Sequence, residues 1–199
     1  MRREVTRARN RAALLDSAVA VIAQHGYEAA RVGAIADAVD LTTGAVYSIF
    51  GSKRGLLIAA AQRMIDEQLE VLERLADPKL TLTEVLHELA RISYQAATGD
   101  MANVRASFQL EAMVAGMRDR DLLTSVTMVE RTDTALARLL TDRHLDGSVA
   151  RTTPEQAARL VPAVTALLSG LSQELLFAPG GIDLDYCTDA IAVLVELIK

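Results

Sequence analysis

The chain has 199 residues, 51% hydrophobic and 4% aromatic, with 21 Lys and Arg against 26 Asp and Glu. That composition excludes a disordered or fibrous chain and fits one or two globular domains. Thirty-three alanines and 28 leucines against four prolines point to an all-α fold, and the single cysteine, Cys187, excludes an internal disulfide.

The chain opens on Arg2, Arg3, Arg7, Arg9 and Arg11. Asp16 interrupts the apolar stretch behind them and no cleavage region follows, so no export signal is expected. No membrane span is expected either, because the longest apolar run, Leu160 to Leu171, contains a proline, a threonine and a serine. A cytoplasmic protein is the resulting expectation. From Arg7 to His25, Leu14, Leu15, Ala18, Val19 and Ile22 recur at helical spacing, and Gly26 stands where a helix stops in a left-handed turn. A short helix fits Val32 to Val39, with Asp40 in the turn. Thr42 caps a third helix that turns Val46 and Phe50 inward. Ser52 caps a long fourth helix reaching about Ala76.

Beyond Pro78 the pattern stays helical. Thr81 with Glu84 predicts a capping box for a helix to about Ala97. Helices follow over 101–117 and 120–145. Thr153, Pro154 and Gln156 start a helix reaching about Phe177, and Asp183 or Asp185 caps the last one. The expectation is about nine helices and no strand.

Charge divides unevenly along this order. Residues 1–54 carry eight basic and five acidic groups, a net of +3, whereas 55–199 carry 13 and 21, a net of −8. A basic head on an acidic body suits a protein whose one end meets phosphate. Three short helices with a tight turn between the second and third describe a helix-turn-helix, whose third helix enters the major groove of DNA.

The string Leu41-Thr42-Thr43-Gly44-Ala45-Val46-Tyr47-Ser48-Ile49-Phe50-Gly51-Ser52-Lys53 resembles the signature of the TetR family of bacterial transcriptional regulators, and Ile35-Ala36-Asp37-Ala38-Val39 resembles that family's second helix. The resemblance implies a helix-turn-helix DNA-binding domain at 1–54 and a helical effector-binding and dimerisation domain at 55–199. Within it, Thr42 and Lys53 would hold phosphates and Gly44 would admit the duplex. Thr43, Ala45 and Ser48 would read base edges, and Tyr47 would reach the backbone. Three positions depart from the family pattern. Ile49 replaces a polar residue, Asp40 replaces the turn glycine, and Arg31 replaces a threonine, exchanging a hydroxyl contact for a longer-range charge. The N-terminal arginines are either a flexible arm that enters a minor groove or a basic tail that attracts DNA without sequence preference.

For the body, the resemblance implies an effector pocket among helices four to seven and a dimer through the last two helices. Candidate ligand-binding residues are Tyr94, Phe108, Met113, Met117, Met128 and Phe177. Leu160, Val164, Leu168, Leu171, Leu175, Ile191, Leu194, Val195 and Ile198 are the candidate dimer interface, being more apolar surface than a lone hairpin hides. A ligand would act through the fourth helix, near Ile58, Ile65, Leu69 or Leu72. The expected protein is thus a dimeric, ligand-responsive regulator, a repressor, of a palindromic double-stranded operator. The alternatives are an architectural DNA-binding protein without an effector, and a metal-dependent helical-bundle enzyme using Glu84 and His87. The enzyme is disfavoured because such sites need two Glu-x-x-His units. No catalytic residue, metal or cofactor is expected.

Overall fold

The computed structural model describes residues 2–127, 129–145 and 147–198. Among them the regular elements are helices, with one isolated antiparallel bridge between His144 and Arg151. Helix α1 (Arg2–His25) buries Leu14, Leu15, Ala18, Val19 and Ile22, and the chain leaves it through Gly26 at φ 79°. Helix α2 (Val32–Asp37) buries Ile35 and Ala36 and stops short of Val39. The reason is a tightened end: Leu41 N donates to Ala36 O at 3.0 Å and Asp40 N to Asp37 O at 3.2 Å. Asp40 sits between them at φ 55°, the place a glycine commonly takes in such a motif.

Helix α3 (Thr43–Phe50) and helix α4 (Lys53–Arg74) follow with one turn between them. Ser52 caps α4, its Oγ accepting from Gly55 N at 2.9 Å. A side chain at Gly55 is sterically barred, because a Cβ there would lie 2.1 Å from Phe50 O. Helix α5 (Leu82–Thr98) starts in the expected capping box, with Thr81 N donating to Glu84 Oε2 at 2.7 Å. Helix α6 spans Ala102–Arg118.

The expected helix over 120–145 is helical over α7 (Arg120–Thr127) and α8 (Val129–Leu140), Met128 lying outside the described residues, and it ends at Leu140, short of 145. Past Leu140 the chain turns at Asp142 (φ 59°) into a short hairpin, where Asp142 N donates to Thr152 O and Thr152 N to Arg143 O, each at 2.9 Å. Arg143 is buried at its base. Its guanidinium donates to Leu139 O at 2.7 Å, to Leu75 O at 3.3 Å and to Asp77 O, tying the ends of α4 and α8 together. Burial lowers the Arg143 pKa, so the carbonyls must hold the charge in place.

Helix α9 (Pro154–Phe177) has both halves of its capping box, and α10 (Leu184–Ala192), capped by Asp183, tightens into a 3₁₀ turn at Val193–Ile198. By length and composition alone, α9 is apolar enough to cross a membrane, with a mean hydropathy of 1.5 over 18 residues. Pro162, Thr165 and Ser169 are uncharged and do not lower that mean enough. Within the fold, its Leu160, Val161, Val164 and Leu175 are buried, and it packs on α5 and α8.

Two compact units result. The first comprises Met1–Asp66 with Asn103–Met128, and the second Glu67–Ala102 with Val129–Lys199. The core of the first joins α1, α2 and Val46 of α3 to Leu56, Leu57, Ala60 and Met64 of α4 and to Phe108, Ala112 and Ala115 of α6. The core of the second joins α5, α8, α9 and α10.

Candidate nucleic-acid interface

Helix α3 is anchored by one side. Val46 is fully buried, while Ile49 and Phe50 are half-buried against the same core. An apolar residue at 49 therefore supports packing rather than the polar contact common in the resembling family. The opposite side carries Thr43, Gly44, Tyr47 and Ser48, all exposed, at spacings that place them on one helical face. Ala45 is half-buried at its edge. Tyr47, half of whose surface meets solvent at 51%, is not a core tyrosine. Beside Gly44 the only neighbour a Cβ would meet within 4 Å is Thr42 Oγ1, at 3.7 Å, so the glycine keeps this face low rather than relieving a clash. Thr42 caps the helix, its hydroxyl accepting from Ala45 N at 3.2 Å. Backbone donors and the positive end of the helix dipole are thus presented where an anion would bind.

Three cations stand at the starts of the helices on either side of α3 in the chain. Arg31, exposed, occupies the capping position of α2 in extended conformation and makes no capping bond. Lys53 is less free than its place in the motif suggests. Its Nζ donates to Glu28 O at 3.0 Å and lies 4.7 Å from the centre of the Tyr27 ring, so its charge is aimed by the loop after α1. An ammonium has three donors, and this bond uses one. That loop is itself pinned by α6, since Tyr27 N donates to Glu111 Oε2 at 2.9 Å. Arg54 pairs with Asp119 at 2.6 Å in an exposed setting, a contact that orients more than it stabilises. Burial is the main cause raising the Tyr27 pKa, so the phenol stays neutral beside these charges. The motif revealed Lys53 and Tyr47. The Glu28 carbonyl and Glu111 left no sequence signal, because neither belongs to a recognisable spacing.

The candidate ligand-binding residues are divided between the two units. Phe108 is a core residue of the first unit and 1% exposed; Met113 and Met117 are exposed on α6; Phe177 is exposed on α9; Tyr94 is half-buried on α5 against the second core. Met128 lies outside the described residues. The second unit holds a cleft of about 710 Å³ between the end of α4 and α8. Its apolar wall is Leu69, Leu72 and Leu139, and its rim carries Glu73, Glu130 and Arg138. Such a size is ordinary for a small-molecule site. Two of the four α4 positions expected to meet a ligand, Leu69 and Leu72, line it.

Among the candidate interface residues, Leu160, Val164, Leu175, Ile191 and Ile198 are buried within the chain's own second core and have no surface left for a partner. Leu168, Leu171, Leu194 and Val195 are half-buried. Helical spacing alone cannot tell which apolar stripe faces inward. The outward surface of α9 carries Thr165, Ala166, Ser169, Gly170 and Phe177, and beyond it Tyr186, Val193 and Leu197 are exposed. Only 28% of the apolar stretch of α9 is buried. Cys187 is buried on α10, which raises its pKa and leaves the thiol inert. Glu84, the candidate metal ligand, has its carboxylate committed to capping α5.

A model of bacterial regulatory proteins of the tetR family matches residues 14–60. The HTH-type transcriptional repressor KstR of Rhodococcus jostii is 30% identical over 159 residues, 73% of this chain and 74% of that protein. The HTH-type nicotine-responsive transcriptional repressor HdnoR of Paenarthrobacter nicotinovorans is 26% identical over 97 residues, and the match spans half of that protein. In fold, the chain is similar to the transcriptional regulator FadR of Bacillus subtilis, solved in complex with stearoyl-CoA. The TM-score is 0.69 with 19% identity over 92% of this chain and 95% of that one.

Proposed function

The chain belongs to the TetR family of bacterial transcriptional regulators, and from that premise we propose that it is a dimeric repressor whose α3 reads a palindromic operator. It is a regulator and not an enzyme. The observation that carries the reading is the face of Thr43, Gly44, Tyr47 and Ser48, exposed on a helix locked to its core through Val46. Residues 1–54 supply the DNA contacts, with Arg31, Thr42 and Lys53 at phosphates and Ala45 at the margin of the groove. Residues 55–199 supply effector binding and dimerisation, in the cytoplasm where the operator lies.

The outward face of α9, with the small residues Thr165, Ala166, Ser169 and Gly170 and the exposed Phe177, is the surface this reading gives to a second copy. The cleft lined by Leu69, Leu72 and Leu139 is where this reading puts an effector with an apolar body and a polar tip. Since α4 is one helix from Lys53 to Arg74, a ligand against Leu69 and Leu72 acts on the same rod that starts beside α3.

The decisive experiment offers sheared genomic DNA from the source organism to the purified chain. Specific fragments with two half-sites about one helical turn apart, or a multiple, are expected. Tyr47→Ala is expected to weaken their binding while thermal unfolding stays unchanged. Recovery of no specific fragment at low salt overturns the reading.

A further inference from the structure

The first helix extends well beyond its own core. Helix α1 begins at Arg2, yet Glu4 to Arg9 are exposed and the first fully buried side chain is Leu14. About a dozen positions therefore form a helical spur of about 18 Å at about 1.5 Å per residue. Its charge runs against the helix dipole, which disfavours cations in the opening turns, so these arginines are not placed there to stabilise the fold. A phosphate beside them would reverse that penalty.

The spacing gives the spur a direction. Arg7, Arg11, Leu14 and Ala18 follow at intervals of four, three and four, so the two arginines continue the face that packs into the core. Arg11 shows where that face leads: its guanidinium lies 5.6 Å from the centre of the Phe50 ring, at the last residue of α3. Arg9 lies on the opposite side, about 160° round the helix from either. The family match begins at residue 14, so the spur precedes the shared motif.

We propose that the α1 spur is a phosphate rail, on which Arg7 and Arg11 hold the DNA backbone beside the groove that α3 reads and add affinity without reading sequence. This rests on the DNA-binding reading above. Shape separates it from a minor-groove arm. A helix with side chains is about 10–12 Å across, whereas the minor groove is about 6 Å wide, so a helical spur lies on the phosphates where an extended arm could thread between them.

The test uses the duplex that the wild-type chain selects from a random-sequence library, rebuilt with only A·T or only G·C pairs in its flanks. Affinity is measured by fluorescence anisotropy across a salt series. Arg7→Gln is expected to reduce the slope of log affinity against log salt by about 0.9 per bound protomer, and the Arg7→Gln, Arg11→Gln pair by about twice that. The loss should be equal on both flanks, and Arg9→Gln should leave the slope unchanged. Circular dichroism is expected to show wild-type melting for all three. An unchanged slope in Arg7→Gln, a loss confined to A·T flanks, or an equal effect of Arg9→Gln overturns the rail while leaving the α3 reading intact. A wild-type chain that selects no duplex overturns both.

Discussion

Asp40 holds the turn between α2 and α3 at φ 55°, a conformation in which a side chain branched at Cβ clashes with the backbone. Asp40→Val is therefore expected to lower stability by about 1–2 kcal/mol, and Asp40→Gly to leave it unchanged or raised, as read by denaturant unfolding. This residue was legible in the sequence, because a polar residue between two short amphipathic stretches marks a turn and aspartate tolerates the left-handed region. Arg143 was not. Its partners are the carbonyls of Leu75, Asp77 and Leu139, and any residue presents a carbonyl, so no spacing announces them. Replacing it leaves buried acceptors without donors. Arg143→Met is expected to destabilise by about 2–4 kcal/mol in thermal or denaturant unfolding.

At the scale of the element, helix starts were read well and helix faces less well. A capping box is local: Thr81 with Glu84 and Thr153 with Gln156 satisfy orphan donors within three residues, and nothing distant alters that. Which stripe of α9 meets the core depends on other helices, α5 and α8, beyond its own sequence, so Leu160 and Val164, expected at the dimer interface, lie inside. Gly170 sharpens the alternative. It is exposed, and a Cβ added there meets nothing within 4 Å. Gly170→Arg should therefore leave the protomer folded and, if the outward face of α9 is the interface, convert the dimer to monomer in analytical ultracentrifugation. A variant that stays dimeric moves the interface elsewhere.

At the scale of the whole molecule, the two cores do not follow chain order. The core that supports α3 is completed by Leu56, Leu57, Ala60 and Met64 of α4 and by Phe108, Ala112 and Ala115 of α6. A fragment of residues 1–54 lacks all seven side chains. It is expected to show no cooperative thermal transition by circular dichroism, although it contains every residue proposed to touch DNA. If a ligand in the cleft acts on DNA binding through α4, the coupling is reciprocal, typically about 1–3 kcal/mol. Calorimetry with and without operator should then show effector affinity reduced by the factor by which effector weakens DNA binding. Effector affinity unaffected by operator would exclude α4 as the route.

The sequence by itself determined the helical class, the order of the elements, their caps and the reading face of α3, because each depends on propensities and hydrogen bonds within a few residues. It also determined the family, through one contiguous string. Tertiary structure alone decided the rest: that the helical segment after Arg120 stops at Leu140 with a hairpin behind it, that Lys53 is aimed by Glu28, and that Phe108 is core while Phe177 is surface. It decided too that a cleft lies against Leu69, Leu72 and Leu139. Those outcomes depend on which surfaces of distant segments exclude water together. A local pattern shows that a face is apolar, and only the packed chain shows what covers it.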